Sequence, residues 1–180
     1  MVNTHKPKLT SLQQGILRLL FIMAGSTLNA HQIAKLLGAS QPAVSKALPG
    51  MEKSGLIVVT KENGRLSIQM NRDDHAVVWR KRVDNIGQIY ESGLVQFFYD
   101  MLPEATVILF GSYASGEDTS TSDVDIAIIG KVRKDLHLVI YEKILQREIR
   151  INYYGRFSDI DKHLLNNILS GIVLKGLVEL

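Results

Sequence analysis

The stretch that most constrains this chain runs Phe110-Gly-Ser-Tyr-Ala-Ser-Gly-Glu-Asp-Thr-Ser-Thr-Ser-Asp-Val-Asp-Ile126, where two carboxylates follow a Gly-Ser pair at a fixed distance. Val107 to Phe110 read as a short buried strand, Gly111-Ser112 as the turn that ends it, and Val124 to Ile129 as a second buried strand. Strand side chains alternate, so Asp123 and Asp125 share one face while Val124 and Ile126 share the other. Two acids on one face of a buried strand repel each other. They are tolerated at a water-lined edge or around a cation, and two hard oxygen ligands beside a loop rich in Ser and Thr suit Mg²⁺. Gly111 lets backbone approach a ligand closely, and Ser112 offers a hydroxyl and free N–H groups at a helix start, where phosphate binds. A phosphate cradle facing a carboxylate pair points to a metal–nucleotide site.

The same residues resemble the signature of the polymerase-beta-like nucleotidyltransferase superfamily: hydrophobic-Gly-Ser, about ten residues, then a hydrophobic-flanked Asp-x-Asp. The match lies on Phe110, Gly111 and Ser112, with Gly116 at the position of the frequent second glycine, and on Ser122 to Ile126. In length it looks most like the minimal nucleotidyltransferases of archaea and bacteria. The resemblance implies Mg²⁺ held by Asp123 and Asp125. It also implies a nucleoside triphosphate, ATP being the first candidate, whose outer phosphates meet Gly111 and Ser112. A third acid, on the strand after the Asp-x-Asp hairpin, usually completes such a cage. Here that strand is Glu148-Ile-Arg-Ile-Asn-Tyr-Tyr154, whose polar set Glu148, Arg150 and Asn152 shares one face. Either Glu148 serves as a third catalytic carboxylate at its start, or the position holds Arg150 or Asn152 and the cage is incomplete.

Charge separates the two ends of the chain. Residues 1–74 carry nine Lys/Arg against four acids, a net +5, whereas the remaining residues carry twelve against fourteen, a net −2. A basic N-terminal half ahead of an acidic C-terminal half suits a polyanion-binding module followed by a metal-binding one. The absence of Cys excludes a disulfide framework and thiolate zinc sites and fits a reducing cytoplasm. The most apolar N-terminal run, Gly15 to Gly25, is interrupted by Arg18 and falls well short of the ~20 residues of a membrane helix.

Residues 1–8 read as a short basic arm. From Leu9 to Met23, apolar residues recur every three or four positions, which predicts an amphipathic helix. A second helix follows over about Asn29 to Leu37, stopped by Gly38. Ser40 caps a third that begins Gln41-Pro42, and the Pro49-Gly50 pair predicts a kink or break after Leu48. Two strands around Glu62-Asn63-Gly64 form a hairpin. This order, with Ala39 to Leu48 resembling the recognition helices of winged-helix transcription regulators, implies a winged helix-turn-helix over roughly residues 9–71. Gln41 and Ser45 would then reach base edges of double-stranded DNA while Lys46, Lys61 and Arg65 neutralise phosphates. Winged helices also mediate dimers, so the alternative is a protein–protein interaction domain, a homodimer included.

Asp74 to Leu102 reads as one long helix joining the modules, with Val78, Val83, Ile86, Ile89, Tyr90, Leu94, Phe97, Phe98 and Met101 as its apolar stripe. Trp79 and the Arg80-Lys81-Arg82 run near its start read as an interface aromatic beside a solvated charged face, with extra DNA-backbone contacts as the alternative. Lys134 to Gln146 and Ser158 to Leu169 are predicted helices, and His137 and His163 within them lack partners at ligand spacing. The expected architecture is α+β: a winged helix-turn-helix over 1–73, a linking helix over 74–102 and a nucleotidyltransferase-like domain with a small mixed sheet over 103–180. Two functions compete. One is a DNA-binding protein that transfers a nucleotidyl group to an acceptor. The other is a non-catalytic transcription regulator, or an antitoxin paired with a small helical toxin, whose second domain binds nucleotide or a partner protein.

Overall fold

The computed structural model describes residues 9–62, 64–131 and 135–179, and for Glu62 and Arg65 the backbone alone. The basic arm 1–8, Asn63, Lys134 and the Arg65 side chain therefore lie outside the described residues. The chain divides into two compact units, Met1–Val77 and Val78–Leu180.

The first unit opens with α1 (Ser11–Ile22), α2 (Ala30–Leu37) and α3 (Gln41–Lys53). Reciprocal capping fixes where the first two begin, since Thr10 and Asn29 each accept from an N3 amide while Gln13 and Gln32 reach back. Gly38 ends α2 at φ 62°, a left-handed position that glycine takes without penalty. Ser40 caps α3, accepting from the Ala43 amide at 3.3 Å. β1 (Ile57–Glu62) and β2 (Arg65–Met70) pair antiparallel, and Leu28 bridges Ile68 to dock the helices on the hairpin. One core, including Ile16, Leu20, Ile33, Val44, Met51 and Ile68, holds these elements together.

The expected break in α3 is absent: the helix runs through Pro49 to Lys53. Leu48 and Met51 on either side of the pair are buried, and Ser54 donates its hydroxyl to the Gly50 carbonyl at 2.8 Å. Core packing therefore outweighs the amide that proline lacks.

The single long helix is also corrected. α4 (His75–Glu91) and α5 (Leu94–Met101) are separate, because Gly93 adopts φ 81° at the α5 N-cap. Of the expected stripe, Val83 and Tyr90, seven residues apart on one face of α4, are exposed, while Ile89 of α4 and Leu94 and Phe98 of α5 are buried.

The second unit is built on a four-stranded mixed sheet in the order β5-β4-β3-β6. β3 (Thr106–Phe110) lies antiparallel to β4 (Val124–Ile129) and to β6 (Ile172–Lys175), and β5 (Ile149–Tyr154) lies parallel to β4. Val107 and Leu109 face one core with Ile126 and Ile128, while Ile108, Phe110, Ala127 and Ile129 face a second with Phe157 and Ile168. A sheet covered on both faces explains the continuous apolar runs of β3 and β4. α6 (Gly111–Ser115) directly follows β3, and α7 (Val139–Leu145) precedes β5. α7 is shorter than the helix expected from Lys134, since residues 135–138 have no regular structure. The last expected helix also starts later: Phe157–Asp159 is a 3₁₀ turn, and α8 (Lys162–Leu169) is capped by Asp161. No helix of the described residues is long and apolar enough to cross a membrane.

Candidate functional site

At the end of β3 the chain turns sharply into α6 at Gly111, whose φ of 75° is left-handed. Phe110 stands opposite Asp125 in the β3–β4 register, and a Cβ on Gly111 would lie 2.7 Å from Asp125 Oδ2. Any larger residue would be strained at this φ and would push the carboxylate aside. The Gly-Ser turn and the Asp-x-Asp strand are thus one piece of geometry, folded together by the β3–β4 pairing.

Asp123 sits immediately before β4 and Asp125 within it, both half-buried, while Val124 and Ile126 are completely enclosed. The alternation expected from the sequence therefore places both acids on the water-accessible side. Burial pushes the Asp125 carboxyl above the usual carboxylate value; the Arg150 guanidinium counters this, and the neighbouring Asp123 charge adds to it.

The parallel register sets Arg150 beside Asp125 and Asn152 beside Ala127. Arg150 donates from its terminal guanidinium nitrogen to Asp123 Oδ2 at 2.6 Å. Glu148 lies before β5 with an exposed side chain, and its carbonyl accepts from the Val124 amide at 2.8 Å. Among the described residues, no three of His, Cys, Asp and Glu gather closely enough to hold a metal ion. Gly111, Ser112, Asp123 and Asp125 are brought to one end of the sheet, and the side chain that meets the acids there is Arg150, not Glu148. Two carboxylates still suit one Mg²⁺, which takes one or two protein carboxylates and completes its shell with phosphates and water.

The loop between the two halves of the signature is held by a cluster that sequence reasoning did not find. Asp118 is buried and pairs with Lys81, itself fully enclosed. Asn85 donates to Asp118 Oδ1 at 2.7 Å and to the Tyr113 carbonyl at 2.9 Å. Arg147 faces Asp118 Oδ2 at 3.6 Å, and burial lowers the Arg147 pKa against an opposing contribution from Tyr113. Gly116 lies so close to α4 that a Cβ there would meet the Val78 carbonyl at 2.7 Å. A turn then leads into Asp123, with the Thr119 amide donating to Ser122 Oγ at 2.9 Å. Lys81 accordingly leaves the solvated charged face expected of the Arg80-Lys81-Arg82 run. The signal for this in the sequence was the Glu117-Asp118 pair inside the signature loop.

In the first unit, Gln41, Ser45 and Lys46 are exposed on α3, and Lys61 is exposed near the hairpin tip. Gln41 and Ser45 are one helical turn apart on the same face. This is the outward surface expected of a recognition helix.

The nucleotidyltransferase domain family matches over residues 91–169, and the bacterial regulatory protein, arsR family, matches over residues 14–58. No curated protein matches the chain. Among solved structures, a mutant of Lactococcus lactis ZitR shares 22% identity, covering 55% of this chain and 66% of that one, at a TM-score of 0.40. The adhesin competence repressor AdcR from Streptococcus pyogenes shares 20% identity over 57% of this chain and 70% of that one, at a TM-score of 0.38. At these scores the structural likenesses carry no functional argument. The two domain matches, which fall on the two units described above, show that the chain is a helix-turn-helix module fused to a nucleotidyltransferase domain.

Proposed function

We propose that this protein binds double-stranded DNA through α3 and the β1–β2 hairpin, and that its second unit binds a nucleoside triphosphate with Mg²⁺ and transfers its nucleotidyl group to an acceptor hydroxyl. The observation that carries the nucleotide reading is the fit of Gly111 against Asp125, where a Cβ would lie 2.7 Å from the carboxylate. Backbone that could cradle phosphate is thereby held against the acid that would hold the cation. When bound, Mg²⁺ would neutralise phosphate charge and activate the acceptor. In the transfer the acceptor oxygen bonds to the α-phosphorus and the bond to the β-phosphate oxygen breaks. Pyrophosphate leaves, and the hydroxyl proton passes to water.

Calorimetry of the full chain with ATP or GTP should show binding in Mg²⁺ that EDTA abolishes. Asp123→Asn together with Asp125→Asn should remove it while the circular dichroism spectrum is retained. Equal binding in EDTA would refute the reading. Incubation with α-³²P-labelled triphosphates and candidate acceptors, including the protein itself, then asks whether label is transferred.

A second reading, a nucleotide-sensing regulator without turnover, is favoured by one observation: Arg150 is the residue in register beside Asp125. Binding without label transfer to any acceptor would select it.

The DNA arm of the proposal rests on the helix-turn-helix match, the exposed Gln41, Ser45 and Lys46, and the +5 charge of residues 1–74. Affinity for duplex DNA should fall steeply with salt, by roughly tenfold or more between 50 and 200 mM if only a few phosphates are neutralised. Lys46→Ala should weaken binding and reduce the salt slope by about one. No retention of DNA by the full chain at low salt would favour a protein-interaction role for the module.

A further inference from the structure

The ion pair of Arg150 with Asp123 says how a nucleotide site built this way would handle its cation. Four observations converge. Arg150 is beside Asp125 in the parallel β4–β5 register. It donates to Asp123 Oδ2 at 2.6 Å. Its side chain is 62% exposed, so the guanidinium is open to an incoming anionic ligand. No third carboxylate joins the pair among the described residues, and the other polar residue on that face of β5, Asn152, carries no charge.

We propose that Arg150 makes this a one-cation site, in which its guanidinium pairs with Asp123 until a nucleoside triphosphate arrives and then binds the phosphates in place of a second cation. The proposal rests on the nucleotide-binding reading above. One guanidinium against two carboxylates leaves a net single negative charge, enough for one Mg²⁺ whose shell is completed by phosphate oxygens. A second dication would meet a fixed positive charge. The planar fork of arginine suits a phosphate at least as well as a carboxylate, so the triphosphate competes for Arg150 and releases an oxygen of Asp123 to the metal. Cation and nucleotide therefore favour each other's binding, and the free cation alone binds poorly.

The test is equilibrium dialysis of the full chain against Mn²⁺, with and without α,β-methylene-ATP, counting both bound species. The unmodified protein should bind Mn²⁺ weakly alone and take up one Mn²⁺ per nucleotide. Arg150→Gln should bind free Mn²⁺ about tenfold more tightly, yet bind the nucleotide with Mn²⁺ about tenfold more weakly, magnitudes typical of coupled sites. Arg150→Lys keeps the charge and loses the fork, so it should still oppose free Mn²⁺ while binding nucleotide poorly. Arg150→Asp should admit a second Mn²⁺. Two Mn²⁺ per nucleotide in the unmodified protein would overturn the proposal and leave the nucleotide reading standing, as would free Mn²⁺ affinity unchanged by Arg150→Gln. If no form of the protein retains nucleotide in Mn²⁺, the nucleotide reading itself fails and this proposal with it.

Discussion

Asp125 is held in a position where its charge is costly. Burial raises its pKa above 3.8, an effect that Arg150 reduces and Asp123 reinforces. A carboxyl with a raised folded pKa binds its proton more tightly in the folded chain than in the unfolded one. Its contribution to stability is therefore greatest below the unfolded value and is lost as pH rises through the folded one. Asp125→Asn removes this dependence. Melting temperatures across pH should show the variant at or above the unmodified protein at neutral pH, with the advantage shrinking on acidification towards 3.8. A difference independent of pH would contradict this account. A site residue whose charge destabilises the fold is expected where function uses that charge. The pattern Asp-x-Asp showed which residues share a face, because strand alternation is local. That Arg150 meets them depended on pairing with a strand 25 residues away, which the spacing of Glu148, Arg150 and Asn152 left open.

Among the elements, α3 is held by packing against its own propensity. Pro49 is exposed and withholds a helical amide, yet Leu48 and Met51 keep the helix continuous. Pro49→Ala restores the missing donor without altering a buried group, so urea unfolding should show a gain of up to about 3 kcal/mol. A loss would mean that the proline ring itself contributes packing. The break between α4 and α5 is the converse case. Gly93 in a left-handed conformation ends a periodicity that looked continuous, because apolar residues on both sides of the break fit a single stripe by number alone. Capping was more readable: Asn29 and Ser40 begin their helices where short polar side chains precede an apolar repeat.

For the whole molecule, each unit carries its own core, and the second also encloses the cluster of Lys81, Asn85, Asp118 and Arg147. Lys81→Met would leave the Asp118 charge buried without its closest cation. Removing one partner of a buried ion pair costs about 3–5 kcal/mol, so denaturant unfolding of the full chain should show the second unit weakened by that order. Lys81→Met combined with Asp118→Leu should recover much of the loss, since a buried pair replaced by apolar groups is often near neutral. No effect of the single variant would show that solvent reaches the pair. The sequence by itself determined the two-part organisation, the order of helices and hairpin, and the carboxylate pair after Gly-Ser, because charge balance, turn residues and strand alternation act over a few neighbouring positions. Only the tertiary structure decided that Arg150 stands where a third acid was sought and that Lys81 is buried on Asp118, because strand register and the desolvation of a charge depend on residues distant in the chain.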